Sequence, residues 1–195
     1  KIYFRTCESW AGFFGVQNKI FQVTKDSRLF TQGSLAFTGN LNLYLAQFYA
    51  GGTVIAQETF WPKSWQQAIE KYHANAIYLI PSKLMLLPKV QKEPYKEIRM
   101  ILSGSQSLGI EDAKALKMIY PNTEIILYYG ASELNYITYV TGQQMNEKRN
   151  LIGKAFPGVT VELKTSILLS GFTVTSIPWY PVTVVIPLSI SSCER

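Results

Sequence analysis

The stretch 98-IRMILSGSQSLGIEDAKALKMIYPNTEIILYYG-130 holds the pattern on which the fold turns. It opens with an apolar run that leaves through serine and glycine. Ile110, Ala113, Leu116 and Ile119 follow at the spacing of one helix face. A second apolar run then leads from Glu124 to Tyr128 and ends at Tyr129 and Gly130. Neither run alternates, so each strand must be covered on both faces. Unbroken apolar strands alternating with helices predict a mostly parallel sheet.

The same plan repeats upstream. In 41-LNLYLAQFYAGGTVIA-56, Leu41, Tyr44, Leu45 and Phe48 share a helix face, Gly51-Gly52 stops the helix, and TVIA reads as a short strand. In 61-WPKSWQQAIEKYHANAIYLIP-81, Pro62 suits a first helical turn and Trp65, Ala68, Ile69 and Tyr72 form one face. Trp61 and Trp65 are both expected to bury. AIYLI is a further strand, and SKLMLLPKV a short helix. The fold class is therefore α/β, a mostly parallel sheet flanked by helices, and residues 1–150 read as one such subdomain. Over 151–164 the texture changes. A Pro-Gly turn precedes alternating Val159, Val161 and Leu163, which opens a small β subdomain at the C-terminal end. Residues 165–195 are a third stretch, without charge from Thr165 to Cys193. It reads as an aberrant or truncated tail, as a β segment, or as a membrane span. Pro178, Pro181 and Pro187 oppose the span.

Composition narrows the function classes. Hydrophobic residues make up 47% of the 195, enough for a sizeable core. The net charge of +6 suits anionic ligands such as nucleotides or coenzyme A. The basic residues are scattered, which argues against a nucleic-acid partner. Cys7 and Cys193 stand far apart and form no metal-ligand spacing, a usage that fits a reducing cytoplasm. No apolar leader opens the chain and residue 1 is not Met, so a fragment is expected. Nothing in the pattern speaks to oligomeric state.

In parallel sheets, ligands bind beyond the carboxyl ends of the strands. Two loops lie there. One carries Tyr128, Tyr129, Gly130, Ala131, Ser132 and Glu133. A ring can stack on a base, a hydroxyl can hold a phosphate oxygen, and a carboxylate beside it calls for a cation such as Mg²⁺. The same residues also read as a glycine turn with a solvated glutamate. Gly130 is followed by no mirrored strand, so a strand tip is expected rather than a hairpin. The other loop carries Ser103, Gly104, Ser105, Gln106 and Ser107. Its backbone could border an adenine edge or a phosphate, and Ser107 could cap the next helix. His73, the only histidine, reads as a surface or helix-end residue.

Taken together, these residues resemble the AMP-forming acyl-CoA synthetases of the adenylate-forming superfamily. YYGASE looks like the signature Tyr-Gly-x-Thr-Glu, with Ser132 in place of Thr. LSGSQSL looks like the loop that borders adenine, and IGKAFPGVTVEL like the segment leading into a β subdomain. AIYLIPSKLMLL resembles the strand and turn on the acyl side, and order and spacing agree over about residues 30 to 164. The resemblance implies an acid–thiol ligase. ATP and a small-molecule carboxylic or fatty acid would give an acyl-adenylate, and CoA would then displace AMP. It implies that Tyr129 stacks on adenine beside Gly130, that Ser105, Gln106 and Ser107 border the base, that Ser132 holds the α-phosphate and that Glu133 holds Mg²⁺. Phe37 would be the gate of the acyl site. Departures stand beside these matches. The phosphate loop, the ribose-binding Asp and the lid with its catalytic lysine have no counterpart, so the chain alone is expected to be inactive. A non-catalytic α/β binding module, attached to a membrane through residues 167 to 190, is the alternative. A flavodoxin-like domain is weaker, because no phosphate loop follows the first strand.

Overall fold

The computed structural model describes residues 6–132, 134–145, 151, 153–164, 174–175 and 182–187. In chain order the elements are α1 (Cys7–Ala11), α2 (Phe14–Ile20), β1 (Arg28–Gln32), α3 (Thr38–Tyr49), β2 (Thr53–Gln57), α4 (Pro62–Lys71), β3 (Ala76–Tyr78), α5 (Pro81–Leu84), α6 (Leu87–Val90), β4 (Met100–Gly104), α7 (Ile110–Ile119), β5 (Glu124–Ala131), β6 (Asn135–Thr141), β7 (Lys154–Ala155), β8 (Val159–Lys164), β9 (Val174–Thr175) and β10 (Val182–Pro187).

Seven strands form the main sheet in the order β2-β1-β3-β4-β5-β6-β7. The first five are mutually parallel, as the apolar runs predict. The last two are antiparallel. Neighbouring residues along each central strand go to opposite sides. Ile77, Ile101 and Ile125 join the core with Trp65, Leu84 and Leu116. Tyr78, Leu102 and Ile126 join the other with Phe21, Leu43 and Phe156. This two-sided burial is why the strands carry no polar alternation.

Three expectations are corrected. β5 and β6 do form a hairpin, paired from Ile126↔Thr141 to Ala131↔Asn135 with a register shift between Tyr129 and Gly130. The mirrored strand is NYITYVT, most of it buried on both faces, so it lacks the alternation that marks a hairpin arm. Ser107 caps nothing. Gly109 is the cap of α7, and its N–H donates to Asp112 Oδ2 at 2.9 Å. Trp65 is fully buried, but Trp61 is 61% exposed at the cap of α4. β1, which the sequence reading passed over, lies between β2 and β3.

β8 leaves for a second sheet of order β8-β10-β9, in which β8 and β10 are parallel. Most of 165–195 lies outside the described residues. Among the described residues, no helix is long and apolar enough to cross a membrane.

Candidate functional site

The chain moves from β1 outward to β2, then crosses back past β1 to β3. That reversal opens a crevice at the carboxyl ends of β1 and β3, the usual place for a ligand in an open α/β sheet. Side chains tie the neighbouring loops together there. Lys83 Nζ on α5 donates to Gln32 O at the end of β1, at 3.4 Å. The Ser82 N–H donates to Gln106 Oε1 at 2.9 Å, fixing the loop after β4 to the helix after β3. Burial lowers the Lys83 pKa below the usual lysine value.

Alongside this crevice is a cavity of about 100 Å³ between α3, the end of β4 and the β5–β6 hairpin. Thr38, Gly39 and Asn42 line it from α3, and Ser105 from the loop after β4. Tyr128, Gly130, Ala131, Ser132, Asn135 and Tyr136 line it from the hairpin. Thr38 Oγ1 donates to Ser132 Oγ at 3.0 Å, so the start of α3 meets the hairpin tip. The floor is a polar network. Asn42 Nδ2 donates to Tyr136 OH and to Gln17 Oε1, each at 2.9 Å, and Trp10 Nε1 donates to Asn42 Oδ1. The hydroxyls of Tyr78 and Tyr128 share a hydrogen bond of 2.9 Å. Burial raises the pKa of Tyr78, Tyr128 and Tyr136, so all three hydroxyls stay protonated at neutral pH.

Two glycines make the packing possible. A Cβ on Gly39 would stand 2.7 Å from Tyr78 OH. One on Gly104 would stand 2.6 Å from the Tyr128 ring. Ser105, directly after Gly104, adopts φ 68°, a left-handed conformation that non-glycine residues seldom take.

Of the residues singled out in the sequence, Ser105, Tyr128, Gly130, Ala131 and Ser132 line this cavity. Gln106 and Ser107 are exposed beside it, Gln106 holding Ser82. Tyr129 is 43% exposed at the hairpin end, its ring available to a flat partner. Phe37 is 71% exposed in the cap position of α3, while its neighbour Thr38 turns to Ser132. Glu133 lies outside the described residues. Among the described residues, no three acidic, His or Cys side chains could hold a metal together. Sequence reading missed Thr38, Asn42, Asn135 and Tyr136. The first two follow Phe37 by one and five positions, but nothing local shows which residues of that stretch face inward. His73 sits well apart from these loops, just past α4, with Nδ1 3.3 Å from Glu97 Oε2 on the surface.

Hydroxyls, an amide and a close-packed glycine backbone suit a small group rich in acceptor oxygens. A whole nucleotide would have to lie partly outside, across Tyr129 and the 105–107 loop.

Comparison with known proteins gives a consistent result. The model of a family described as AMP-binding enzyme matches residues 4–166. The uncharacterized acyl-CoA ligase YhfT of Bacillus subtilis (strain 168) is 23% identical over 166 residues, covering 85% of this chain and 34% of that protein. The putative long chain fatty acid-CoA ligase VraA of Staphylococcus haemolyticus is 28% identical over 165 residues, covering 84% of this chain and 35% of that protein. The chain thus spans about a third of the length of these curated relatives. Among solved structures, O-succinylbenzoate Coenzyme A synthetase (MenE) from Bacillus subtilis, in complex with ATP and magnesium ion, superposes with a TM-score of 0.70 at 17% identity. That match covers 79% of this chain and 32% of the MenE chain, and it carries the fold.

Proposed function

The chain belongs to the AMP-binding enzyme family, and from that premise we propose that it is part of an acyl-CoA ligase. In this reading ATP and a carboxylic acid form an acyl-adenylate with release of pyrophosphate, and CoA displaces AMP. Residues 1–150 are part of the α/β adenylation subdomain, to which β7 adds an edge strand, 151–164 run into the β subdomain at β8, and 165–195 are a β tail whose strands β9 and β10 share the sheet of β8. The reaction is placed in the cytoplasm.

The observation that carries this reading is the Thr38–Ser132 contact beside Ser105 at the carboxyl ends of parallel strands. The Ser132 hydroxyl, accepting from Thr38, keeps its own proton to donate to an α-phosphate oxygen. Tyr129 offers its half-open ring to adenine next to Gly130. Ser105, Gln106 and Ser107 border the base, and the tie from Gln106 to Ser82 keeps their loop in place. Phe37 stands at the mouth of the acid site. Glu133 would hold Mg²⁺, which supplies charge neutralisation of the phosphates when bound. The acid oxygen must approach phosphorus opposite the leaving pyrophosphate, so orientation by these groups is the chain's main contribution.

Calorimetry with AMP and Mg²⁺ tests the site. The unaltered chain binds, and Tyr129→Ala, Ser132→Ala and Glu133→Ala each weaken binding about tenfold, the loss expected for one stack or one charge-assisted bond. No binding by the folded chain, or equal binding by all four proteins, would refute the nucleotide site. Because no phosphate loop, ribose-binding Asp or lid lysine is matched, the 195-residue chain forms no acyl-adenylate on its own. Pyrophosphate release on mixing with ATP and acid would contradict that.

A further inference from the structure

We propose that the cavity beside Ser132 selects a short carboxylic acid bearing an acceptor oxygen at its far end, not a long hydrocarbon chain. The proposal rests on the acid-activating reading above. If Ser132 holds the phosphate and Tyr129 the base, the acid must lie next to Ser132 on the side away from Tyr129. The cavity reaches Ser132 from Thr38 and the start of α3, directly after Phe37, and meets the base-bordering residues only at Ser105 and Gly130.

Size is the first argument. The volume is about 100 Å³, against ~150 Å³ for an engineered cavity that takes benzene, which leaves room for about four carbon-sized atoms. Nor does a tunnel lead deeper on the α3 side. Gly39 brings the α3 backbone so close that even a Cβ would stand 2.7 Å from Tyr78 OH and 3.3 Å from Tyr128 OH.

Polarity is the second argument. Asn135 Nδ2 is buried without a hydrogen-bond partner. Tyr136 OH accepts from Asn42, which leaves its own proton uncommitted. Ser132 accepts from Thr38 and keeps a proton to give. Among the described residues, the lining thus holds donors at Ser132, Asn135 and Tyr136 and no charged side chain. Raised pKa values keep the tyrosines in the donating form. A methylene chain here would bury these donors unpaired, whereas a keto, hydroxyl or carboxylate oxygen would satisfy them.

The test is calorimetry on the full chain, without nucleotide, using 4-oxopentanoate, pentanoate and octanoate. The oxo acid should bind about tenfold more tightly than pentanoate, and octanoate more weakly than either. Asn135→Gly then removes the orphan amide without disturbing the backbone, because Asn135 has φ 66°, which glycine takes freely. This variant should lose about tenfold for the oxo acid and little for pentanoate. Octanoate binding as tightly as the oxo acid, no binding of any acid, or an oxo-acid affinity unchanged in Asn135→Gly would each overturn the proposal. Should the variant fail to fold, the chain-length series on the unaltered chain decides. The separate titration with AMP and Mg²⁺ judges the nucleotide site, so either reading can fail while the other stands.

Discussion

Ser132 was legible as a hydroxyl at a strand end because a serine after a strand and a glycine is a local pattern. Thr38, its partner, was not, because ninety-four positions separate them and only the fold brings them to 3.0 Å. Phe37 shows the same limit from the other side. The stretch around Phe37 could be singled out, but which side chain turns inward depends on the phase of α3. That phase is set by Leu43 and Ala46 packing under it. Gly130 gives a prediction at this scale. An added Cβ would stand 2.4 Å from the carbonyl oxygen of Asn135, a backbone atom that cannot swing away. Gly130→Ala should therefore cost about 2 kcal/mol and lower the Tm by about 4–8 °C in a thermal scan. Gly15, inside α2 with nothing near its Cβ position, gives the opposite sign. Gly15→Ala should stabilise by about 0.5–1 kcal/mol through helix propensity. A loss of stability in Gly15→Ala, or none in Gly130→Ala, would contradict this packing.

At the scale of elements, α7 and β4 were read correctly from their own residues. Ile110, Ala113, Leu116 and Ile119 recur at helical spacing, and Leu116 is fully buried in the core with Ile101 and Ile125. Only the cap of α7 was misassigned, because Ser107 is a good cap by type, whereas Asp112 reaching back to Gly109 settles the first turn. Chemical denaturation of two variants checks this helix. Leu116→Ala should cost 2–5 kcal/mol, roughly the range for a buried leucine. Asp112→Ala should cost about 1 kcal/mol, the value of a cap. Met118, 77% exposed on the same helix, should tolerate alanine within about 0.5 kcal/mol. β6 was missed for the reason β5 was found. A strand buried on both faces has no period, and its identity as a hairpin partner lies in the pairing rather than in its residues.

At the scale of the whole molecule, buried tyrosines link stability to pH. Tyr128 and Tyr136 in one core and Tyr120 in the other have pKa values raised by burial above the ordinary 10.0. In the unfolded chain they ionise near that ordinary value, so above it the unfolded state binds fewer protons than the folded one. Their contribution is therefore complete below about pH 10 and lost as pH rises beyond it. Urea midpoints should be level up to about pH 9 and fall steeply from about 10. Tyr120→Phe, at a hydroxyl with no partner, should make that fall shallower. A midpoint that stays level to pH 11 would contradict the burial of these rings.

By itself the sequence determined the α/β class, the parallel central strands and the two loops that carry Ser105 and Ser132, because apolar period and turn residues act over a few positions. Only the tertiary structure decided that β1 stands between β2 and β3, that β5 turns back into β6, and that Thr38, Asn42 and Tyr136 enclose a small donor-rich cavity. These arrangements are contacts between segments far apart in the chain. Their free energy comes from shared burial and backbone pairing, which no single segment encodes.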